Sequence, residues 1–270
     1  MTEKEILLSS ILNCPRSSLY SGGLFLSAKV LKKLSRCLSL RSEGFPLQYI
    51  LGEVEFFGLI FKLDKRVFIP RPETEILVET AINSAASLRP SVCGQIKILD
   101  IGTGSGCIAV ALAKNLAKAR IIAIDISREA LEIARQNARL NGAEERIHFI
   151  QSDLLSALPH PLSAYDLLIS NPPYIRSQDI EHLQKELKYE PRIALDGGCS
   201  GLDFYRRIIR QAPRLLKKDG LLLMEIGFGQ YDKIKNIFEK TGNFKIIDLV
   251  KDYNKIERVI IGQRIAKKYG

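Results

Sequence analysis

Short apolar segments and helical segments alternate along this chain from residue 96 onward. The apolar segment 97–101 precedes an alanine-rich helical segment at 107–118. A second apolar segment, 121–125, precedes a helix that Ser127 is placed to cap. Consecutive parallel strands need a long crossover between them, usually a helix, whereas antiparallel strands need only a short turn. The alternation therefore predicts an α/β fold, a mainly parallel, doubly wound sheet with helices on both faces.

The same alternation continues through residue 261. Further strands are predicted at 147–150, 165–170, 221–226, 244–250 and 257–261, and further helices near 203–216 and 231–239. The helix that starts at Ser127 is expected to end at Asn141-Gly142. No repeated segment or low-complexity tract interrupts the pattern. We therefore expect one α/β domain over residues 70–270.

The N-terminal 45 residues show a purely helical pattern instead. Thr2 and Glu5 form the capping box of a first amphipathic helix, and Ser27 is placed to cap a second one. Residues 1–45 are therefore predicted to form a small N-terminal helical domain. Three leucines of the second helix recur at helical spacing, which predicts one buried face: Leu31, Leu34 and Leu38.

Aromatic and β-branched residues dominate the next segment, in which Gly58 interrupts two extended stretches. Two such stretches on either side of a glycine are typical of a β-hairpin. We therefore expect residues 46–69 to be a β-hairpin linker between the N-terminal helical domain and the α/β domain.

Composition narrows the class of protein. With 46% hydrophobic and 26% charged residues, the chain resembles a soluble globular protein with a buried core. No apolar run approaches the ~20 residues that span a bilayer, and the first helix is too polar for a signal peptide, so a cytoplasmic protein without membrane contact is expected. Five scattered cysteines and three histidines offer no metal-ligand spacing, so no metal site is predicted. The net charge of +10 leaves nucleic-acid binding open, although the basic residues form no long block.

A glycine-rich turn follows the strand at 97–101. Such a turn lets the backbone approach a ligand at the N-terminus of a helix. Asp125 follows about twenty residues later at a strand end, where a carboxylate can accept both hydroxyls of a ribose. The dinucleotide fingerprint would place a third glycine at position 107, but that residue is Cys107. Together the turn and the acid predict a ligand that contains adenosine. The residues of the turn are Asp100, Ile101, Gly102, Thr103, Gly104, Ser105 and Gly106.

The apolar run at 165–170 ends in four residues with the chemistry of a binding site: Asn171, Pro172, Pro173 and Tyr174. Open α/β sheets hold their ligands at the carboxyl ends of the strands, so these residues are expected at that crevice. The prolines lack N–H donors and leave carbonyl oxygens. The Asn171 side-chain oxygen and the Pro172 carbonyl could accept both N–H groups of a planar amide or exocyclic amine, on which Tyr174 could stack. A sulfonium methyl beside this site would be the electrophile, and catalysis would depend mainly on positioning.

Five stretches distributed over the chain carry a family resemblance: Pro46–Gly52, Ile69–Glu75, Asp100–Gly106, Ser170–Ile175 and Glu190–Arg192. Together they resemble the bacterial peptide chain release factor N5-glutamine methyltransferases, the protein-(glutamine-N5) methyltransferase family. Asn-Pro-Pro-Tyr alone is not specific, because DNA adenine methyltransferases share it. The resemblance implies a Rossmann-like class I S-adenosylmethionine-dependent methyltransferase domain, a helical N-terminal domain that recognises the substrate, and a short β linker.

The resemblance also implies a reaction. A methyl group would pass from S-adenosyl-L-methionine to the side-chain N5 of the glutamine in the Gly-Gly-Gln motif of class 1 peptide chain release factors. S-adenosyl-L-homocysteine would be the other product, and the modification would support translation termination. No nucleic acid would be required as a partner.

Residue by residue, the resemblance assigns the following roles. The turn residues Gly102, Thr103, Gly104, Ser105 and Gly106 would pass beneath the methionine and ribose of the cofactor, and Asp125 would hold the ribose hydroxyls. Asp153 would lie beside the adenine amino group; relatives can carry a tryptophan at the next position, where this chain has Leu154. Asn171 would border the cofactor and, with Pro172, Pro173 and Tyr174, hold the substrate glutamine. The segment that would close over the active site comprises Arg71, Pro72, Glu73 and Thr74.

Other functions remain open from the sequence. A glutamine methyltransferase of a ribosomal protein would share Asn-Pro-Pro-Tyr but is expected to differ around residues 71–75. An adenine-N6 nucleic-acid methyltransferase agrees with the positive charge but would normally carry a separate target-recognition region. An NAD-dependent dehydrogenase would use the glycine turn and Asp125, yet it offers no role for Asn-Pro-Pro-Tyr. A non-catalytic binding module is disfavoured because both halves of a transfer site are intact.

Overall fold

The computed structural model describes residues 2–20, 25–88, 94–156, 158 and 164–265. Its helices are Glu3–Leu12 (α1), Ala28–Ser42 (α2), Leu47–Leu51 (α3), Thr74–Ser87 (α4), Cys107–Asn115 (α5), Arg128–Leu140 (α6), Asp203–Gln211 (α7) and Tyr231–Thr241 (α8). Its strands are Glu53–Phe56 (β1), Leu59–Lys62 (β2), Ile96–Ile101 (β3), Ala119–Asp125 (β4), Ile147–Gln151 (β5), Tyr165–Ser170 (β6), Leu216–Glu225 (β7), Phe244–Lys251 (β8) and Glu257–Arg264 (β9). None of the helices in this part of the chain has the length and apolar character that crossing a bilayer requires.

Seven strands form one sheet, in the order β5-β4-β3-β6-β7-β9-β8. Strands β3 to β7 are parallel to one another, whereas β9 runs antiparallel to both β7 and β8. This confirms the mainly parallel, doubly wound sheet and adds an antiparallel edge that the sequence pattern did not predict. The strand order reverses at β3, which has β4 on one side and β6 on the other. A ligand crevice is therefore expected at the carboxyl ends of β3 and β6.

The mostly apolar sequence of strand β6 is explained by its position at the centre of the sheet. All six of its residues are buried, because helices cover both faces of the sheet. Leu167 and Ile169 point into a core shared with α4 and α5, while Leu168 points into a second core shared with α7 and α8. Successive side chains of a strand alternate between faces, so a strand at the centre of such a sheet needs apolar residues at nearly every position.

The N-terminal helices begin where the sequence predicts. The Thr2 hydroxyl accepts from the Glu5 N–H, and the Glu5 carboxylate accepts from the Thr2 N–H, which confirms the capping box. The prediction of a buried leucine face on α2 is only partly right, since Leu34 is buried but Leu31 is 49% exposed. Helix α2 packs against the small helices α1 and α3. These helices cover only a narrow strip of its surface.

The hairpin is present, but a helix precedes it. Strands β1 and β2 pair antiparallel around Phe57 and Gly58, both of which have a positive φ, as a two-residue hairpin turn requires. The short helix α3 was not predicted from the sequence. It ends at Gly52, whose φ of +74° is a left-handed C-cap conformation.

Two predicted helices end earlier than expected. Helix α7 stops at Gln211 rather than near residue 216, and a single 3₁₀ turn at Ala212–Arg214 follows. Pro213 lies in that turn and has no N–H to continue the helix. Strand β7 therefore begins at Leu216, five residues before the prediction. Similarly, α5 ends at Asn115 instead of 118, since β4 already begins at Ala119.

A fully buried asparagine on α6 fastens the hairpin to the glycine turn. Asn137 Oδ1 accepts from the Lys62 N–H at 2.7 Å, and its Nδ2 donates to the Lys62 carbonyl at 3.0 Å. The same Nδ2 donates to the Ser105 carbonyl at 2.9 Å. One side chain thus connects three elements that are separate in sequence.

Replacing Asn137 with alanine is expected to lower the free energy of unfolding by about 2–3 kcal/mol. The reason is that the buried Ser105 carbonyl and two half-buried backbone groups of Lys62 lose their partner. Urea unfolding followed by circular dichroism measures this change. Asn115→Ala is the control, because the exposed Asn115 side chain bonds to the Ala111 carbonyl of its own helix, at 2.9 Å, and to no other described residue. Equal losses in the two variants would contradict the role given to Asn137.

Candidate active site

A cavity of about 430 Å³ opens at the carboxyl ends of β3, β4 and β6. This volume lies in the range of small-molecule sites. Segments far apart in the sequence contribute to its wall. The cavity lies where the strand order reverses, at β3, as expected. The lining residues come from 66–74, 101–108, 124–130, 152–154, 170–175 and 187–195, together with Phe204 and Arg207.

The glycine turn borders this cavity on the side of β3 and α5. Gly106 packs against α6 instead: a Cβ there would lie 3.0 Å from the Ala134 Cβ and 3.1 Å from its Cα. Gly106 also has a φ of +81°, which favours glycine. It therefore shapes the turn and the α5–α6 contact without lining the cavity. The turn residues that do line the cavity are Ile101, Gly102, Thr103, Gly104 and Ser105.

Asp125, the last residue of β4, is held by backbone N–H groups. Its Oδ2 accepts from Gly104 at 2.8 Å, and its Oδ1 accepts from Ser127 at 2.9 Å. Burial raises the pKa of this carboxyl, and the backbone hydrogen bonds oppose that rise. Each carboxylate oxygen has a second lone pair, so the group can still accept two hydroxyl protons from a ligand.

Asp100, near the end of β3, lies behind the residues that line the cavity and holds the glycine turn in place. It is completely buried, and its Oδ2 accepts from the Thr103 hydroxyl at 2.6 Å. Burial raises the pKa of Asp100 to about 7, while the bond from Thr103 opposes the rise. The sequence placed Asp100 in the turn but gave it no separate role.

Asp153 and Leu154 follow β5 and also line the cavity. Leu154 is buried and offers an apolar surface. Asp153 is exposed, and its Oδ2 forms an ion pair with Arg207 Nη2 of α7 at 2.7 Å. The cavity therefore has an acidic group and an apolar surface side by side at the place predicted for an adenine.

Asn171 lies directly after β6, on the wall of the cavity. Its Nδ2 donates to the Thr74 hydroxyl oxygen at 3.1 Å. Thr74, in the first turn of α4, is only 1% exposed. Because the amide nitrogen is engaged inside the protein, the side-chain oxygen is the polar atom of Asn171 left for a ligand.

The three residues after Asn171 all line the cavity: Pro172, Pro173 and Tyr174. The Tyr174 carbonyl accepts from Gln230 Nε2 at 3.0 Å, and a Cβ on Gly227 would lie 2.9 Å from the Tyr174 ring. These contacts hold the aromatic ring in place. Burial raises the pKa of Tyr174 to about 12, so the hydroxyl stays protonated at neutral pH and is not a base.

The segment predicted to close over the site divides into two groups. Arg71 and Thr74 line the cavity, whereas Pro72 and Glu73 do not. The Glu73 carboxylate lies 3.4 Å from Arg258 Nη2, on β9. This part of the segment therefore attaches α4 to the antiparallel edge of the sheet.

Glu190 is a site residue whose role sequence reasoning missed. Its side chain is 1% exposed and forms an ion pair with Arg71 Nη2. Its Oε2 also accepts from the Ile69 N–H at 3.1 Å. The Arg71 guanidinium lies 4.7 Å from the centre of the Phe68 ring. Glu190 thus holds the segment before α4 in place, and the only sequence signal for it was the resemblance at Glu190–Arg192.

One cavity therefore combines a carboxylate with spare lone pairs and an amide oxygen beside prolines and a protonated tyrosine. Such a site can bind a ribose-containing molecule and present acceptors to an –NH2 group. Within the described ranges, no three His, Cys, Asp or Glu side chains are grouped in a way that could hold a metal ion.

The fold and the site agree with one class of enzyme. Residues 94–260 match the family model described as "Methyltransferase domain". A solved structure of a methyltransferase from Pyrococcus furiosus has the same fold, with a TM-score of 0.58 at 16% identity over 89% of this chain and 100% of that one. The protein is a methyltransferase with a Rossmann-like fold.

Similarity over the full chain identifies the family. Residues 2–52 match the model described as "PrmC N-terminal domain". The release factor glutamine methyltransferase of Geobacter sulfurreducens is 42% identical over 265 residues, which cover 97% of this chain and 88% of that protein. The enzyme of the same name from Chlorobaculum tepidum is 40% identical over 258 residues, 94% of this chain and 87% of that protein. The chain belongs to the release factor glutamine methyltransferase family, which confirms the resemblance seen in the sequence.

Proposed function

We propose that this enzyme methylates the side-chain amide nitrogen, N5, of the glutamine in the Gly-Gly-Gln motif of class 1 peptide chain release factors. The methyl donor is S-adenosylmethionine; the other products are S-adenosylhomocysteine and one proton, which leaves the amide nitrogen as its bond to the methyl carbon forms. The names of the relatives support release factors as the substrate class. The orientation of the Asn171 amide supports an amide nitrogen as the acceptor.

That orientation is the observation on which the proposal depends most. The Nδ2 atom of Asn171 is bound to Thr74, so Oδ1 and the neighbouring Pro172 carbonyl are the acceptors available to a ligand. Two acceptors side by side match the two N–H groups of a primary amide. They also stabilise the positive charge that develops on the nitrogen as it forms a bond to carbon.

The residues around Asp125 fit an adenosine-containing cofactor. Its two oxygens each bind one backbone N–H and keep a lone pair for the ribose hydroxyls. Leu154 would contact the adenine ring, and Asp153 would accept from its amino group. When bound, S-adenosylmethionine supplies a methyl group on a sulfonium centre. The turn residues Gly102 to Ser105 leave space for the cofactor, with Gly106 supporting the turn from behind.

The protein's own contribution is positioning rather than base catalysis. The Tyr174 hydroxyl is protonated at neutral pH, since burial raises its pKa to about 12. Asn171 and Pro172 would hold the substrate amide in plane, and the Tyr174 ring would stack on it. Arg71, fixed by Glu190, would close one side of the cavity and exclude water. Orienting two reactants in this way can supply a large part of a rate enhancement.

Different segments of the chain would have different roles. Residues 1–45 would recognise the substrate, residues 46–69 would connect, and residues 70–270 would bind the cofactor and carry out the transfer. The bonds of Asn137 to Lys62 and Ser105 support a rigid attachment of the hairpin to the cofactor-binding turn.

A methyl-transfer assay tests the substrate directly. The purified enzyme and S-adenosylmethionine are offered a class 1 release factor, a ribosomal protein and duplex DNA in parallel, and mass spectrometry locates the methyl group. We expect a mass increase of one methyl group on the Gly-Gly-Gln glutamine of the release factor alone. A release factor in which that glutamine is replaced by alanine is the matched control and should remain unmodified. Methylation of adenine, or of the ribosomal protein in place of the release factor, would overturn the proposal.

A further inference from the structure

We propose that Thr74 and Glu225 are positioning residues that hold the Asn171 amide with its oxygen toward the substrate. This inference rests on the proposed role of Asn171. An asparagine side chain has nearly the same shape when its amide is flipped, but the flip exchanges an acceptor for a donor. A flipped Asn171 would present its –NH2 to the –NH2 of the substrate. The enzyme therefore needs a device that favours one of the two orientations.

Thr74 supplies the first half of that device. Its oxygen accepts from Asn171 Nδ2 at 3.1 Å, and Thr74 itself is buried. A threonine hydroxyl can also donate, and could then equally hold the Asn171 oxygen. Elsewhere in α4, the Thr80 hydroxyl donates to the Ile76 carbonyl of its own helix at 2.6 Å. Thr74 must give its proton to a different acceptor if it is to remain an acceptor for Asn171.

We assign that role to the carboxyl of Glu225, which lies at the strand end beside Asn171 and is influenced by Thr74. Glu225 ends β7, next to the end of β6 that carries Asn171, because Ser170 pairs with Met224 in the sheet. Its carboxyl is 3% exposed. Burial raises the pKa of Glu225 to about 7, while hydrogen bonding by Thr74, the charge of Arg258 and hydrogen bonding by Asn171 lower it. In its ionised form Glu225 accepts hydrogen bonds and donates none, so this form directs the Thr74 proton toward itself and away from Asn171.

The incomplete hydrogen bonding of this buried carboxyl indicates a specific role. Within the described residues, Glu225 Oε2 has no hydrogen-bond partner. The neighbouring Arg258 is engaged with Asp252 at 2.8 Å and with Glu73 at 3.4 Å. A carboxyl group buried without a full set of partners lowers stability. The role of this carboxyl in orienting Asn171 explains why it is present despite this loss of stability.

Kinetics of matched variants test the inference. Thr74→Val keeps the shape of the side chain but removes its hydroxyl, Thr74→Ser restores the hydroxyl, and Glu225→Gln replaces a pure acceptor with a group that can donate. We expect Thr74→Val and Glu225→Gln each to lower kcat about tenfold or more, with a change below about threefold in S-adenosylmethionine affinity. Thr74→Ser should recover most of kcat. Thr80→Val is the control on the same helix and should leave kcat within about twofold.

A double variant separates positioning from general damage. If Thr74 and Glu225 act as one chain of hydrogen bonds, Thr74→Val combined with Glu225→Gln should lose little more kcat than the worse single variant. Thermal unfolding of every variant shows whether the fold is intact.

Two results would overturn the inference: kcat unchanged in Thr74→Val and Glu225→Gln, or a loss that serine at position 74 does not recover. If Asn171→Ala is inactive while Thr74→Val is fully active, only this inference fails. If Asn171→Ala is itself active, the proposed function of that residue fails.

Discussion

Replacing Asn171 with alanine is expected to lower kcat about 100- to 1000-fold, the range observed when one preorganised group is removed from a catalytic site. The variant would lack the side-chain oxygen that we propose holds the substrate amide in plane and stabilises the charge developing on its nitrogen. Binding of S-adenosylmethionine should change by less than about threefold, because the ribose and adenine contacts are made elsewhere in the cavity.

Two measurements check this expectation. Initial rates with a release factor at saturating cofactor give kcat, and calorimetry gives the affinity for S-adenosylmethionine. Asn115→Ala removes the same side chain from an exposed site on α5 and should behave like the unaltered enzyme. Full turnover by Asn171→Ala would contradict the proposed role. If the variant also lost its affinity for S-adenosylmethionine, the main role of Asn171 would be cofactor binding.

Replacing Asp125 with alanine is expected to raise the dissociation constant of S-adenosylmethionine about 10- to 100-fold, which corresponds to the loss of charge-assisted hydrogen bonds. The variant would lose both ribose acceptors. It would also leave the N–H groups of Gly104 and Ser127 without their carboxylate partner. Once cofactor is saturating, kcat should stay within a few-fold of the original, since in its proposed role Asp125 would not contact the transferred group.

Titration calorimetry measures this loss of affinity, and kinetics at high cofactor concentration measure kcat. Asp153→Ala is a useful comparison, because the exposed Asp153 carboxylate is paired with Arg207 and would make a single contact to adenine. Its effect on affinity should be clearly smaller. A loss of turnover at saturating cofactor with unchanged affinity would contradict the assignment of Asp125. Binding of NAD in place of S-adenosylmethionine would contradict the choice of cofactor.

The fold could be predicted well where the signal is local. The strands of the sheet and the caps Thr2 and Ser27 depend on residues a few positions apart, and all are present. Two of the errors occurred where distant packing or a single proline determined the outcome. Leu31 is exposed because only small helices cover α2, and α7 ends early because Pro213 interrupts it.

The site could be predicted in outline but not in its supporting contacts. Asp125 and Asn171 follow strands, so their place at the crevice comes from chain order alone, and both line one cavity. Three of the residues named in advance do not line it. Gly106 packs on Ala134, Glu73 pairs with Arg258, and Pro72 lies outside the wall.

By itself, the sequence determined the alternation of strands and helices, the glycine turn, the acid after β4 and the acceptor group after β6. These features arise from residues that are neighbours in the chain, for which periodicity and turn chemistry are sufficient. Only the tertiary structure decided which buried groups hold them: Thr74 bonds Asn171 across 97 residues, Glu190 bonds Arg71 across 119, and Asn137 bonds Lys62 across 75. Such pairs form because packing the sheet brings their strand and helix ends together. Local sequence patterns therefore do not predict these contacts.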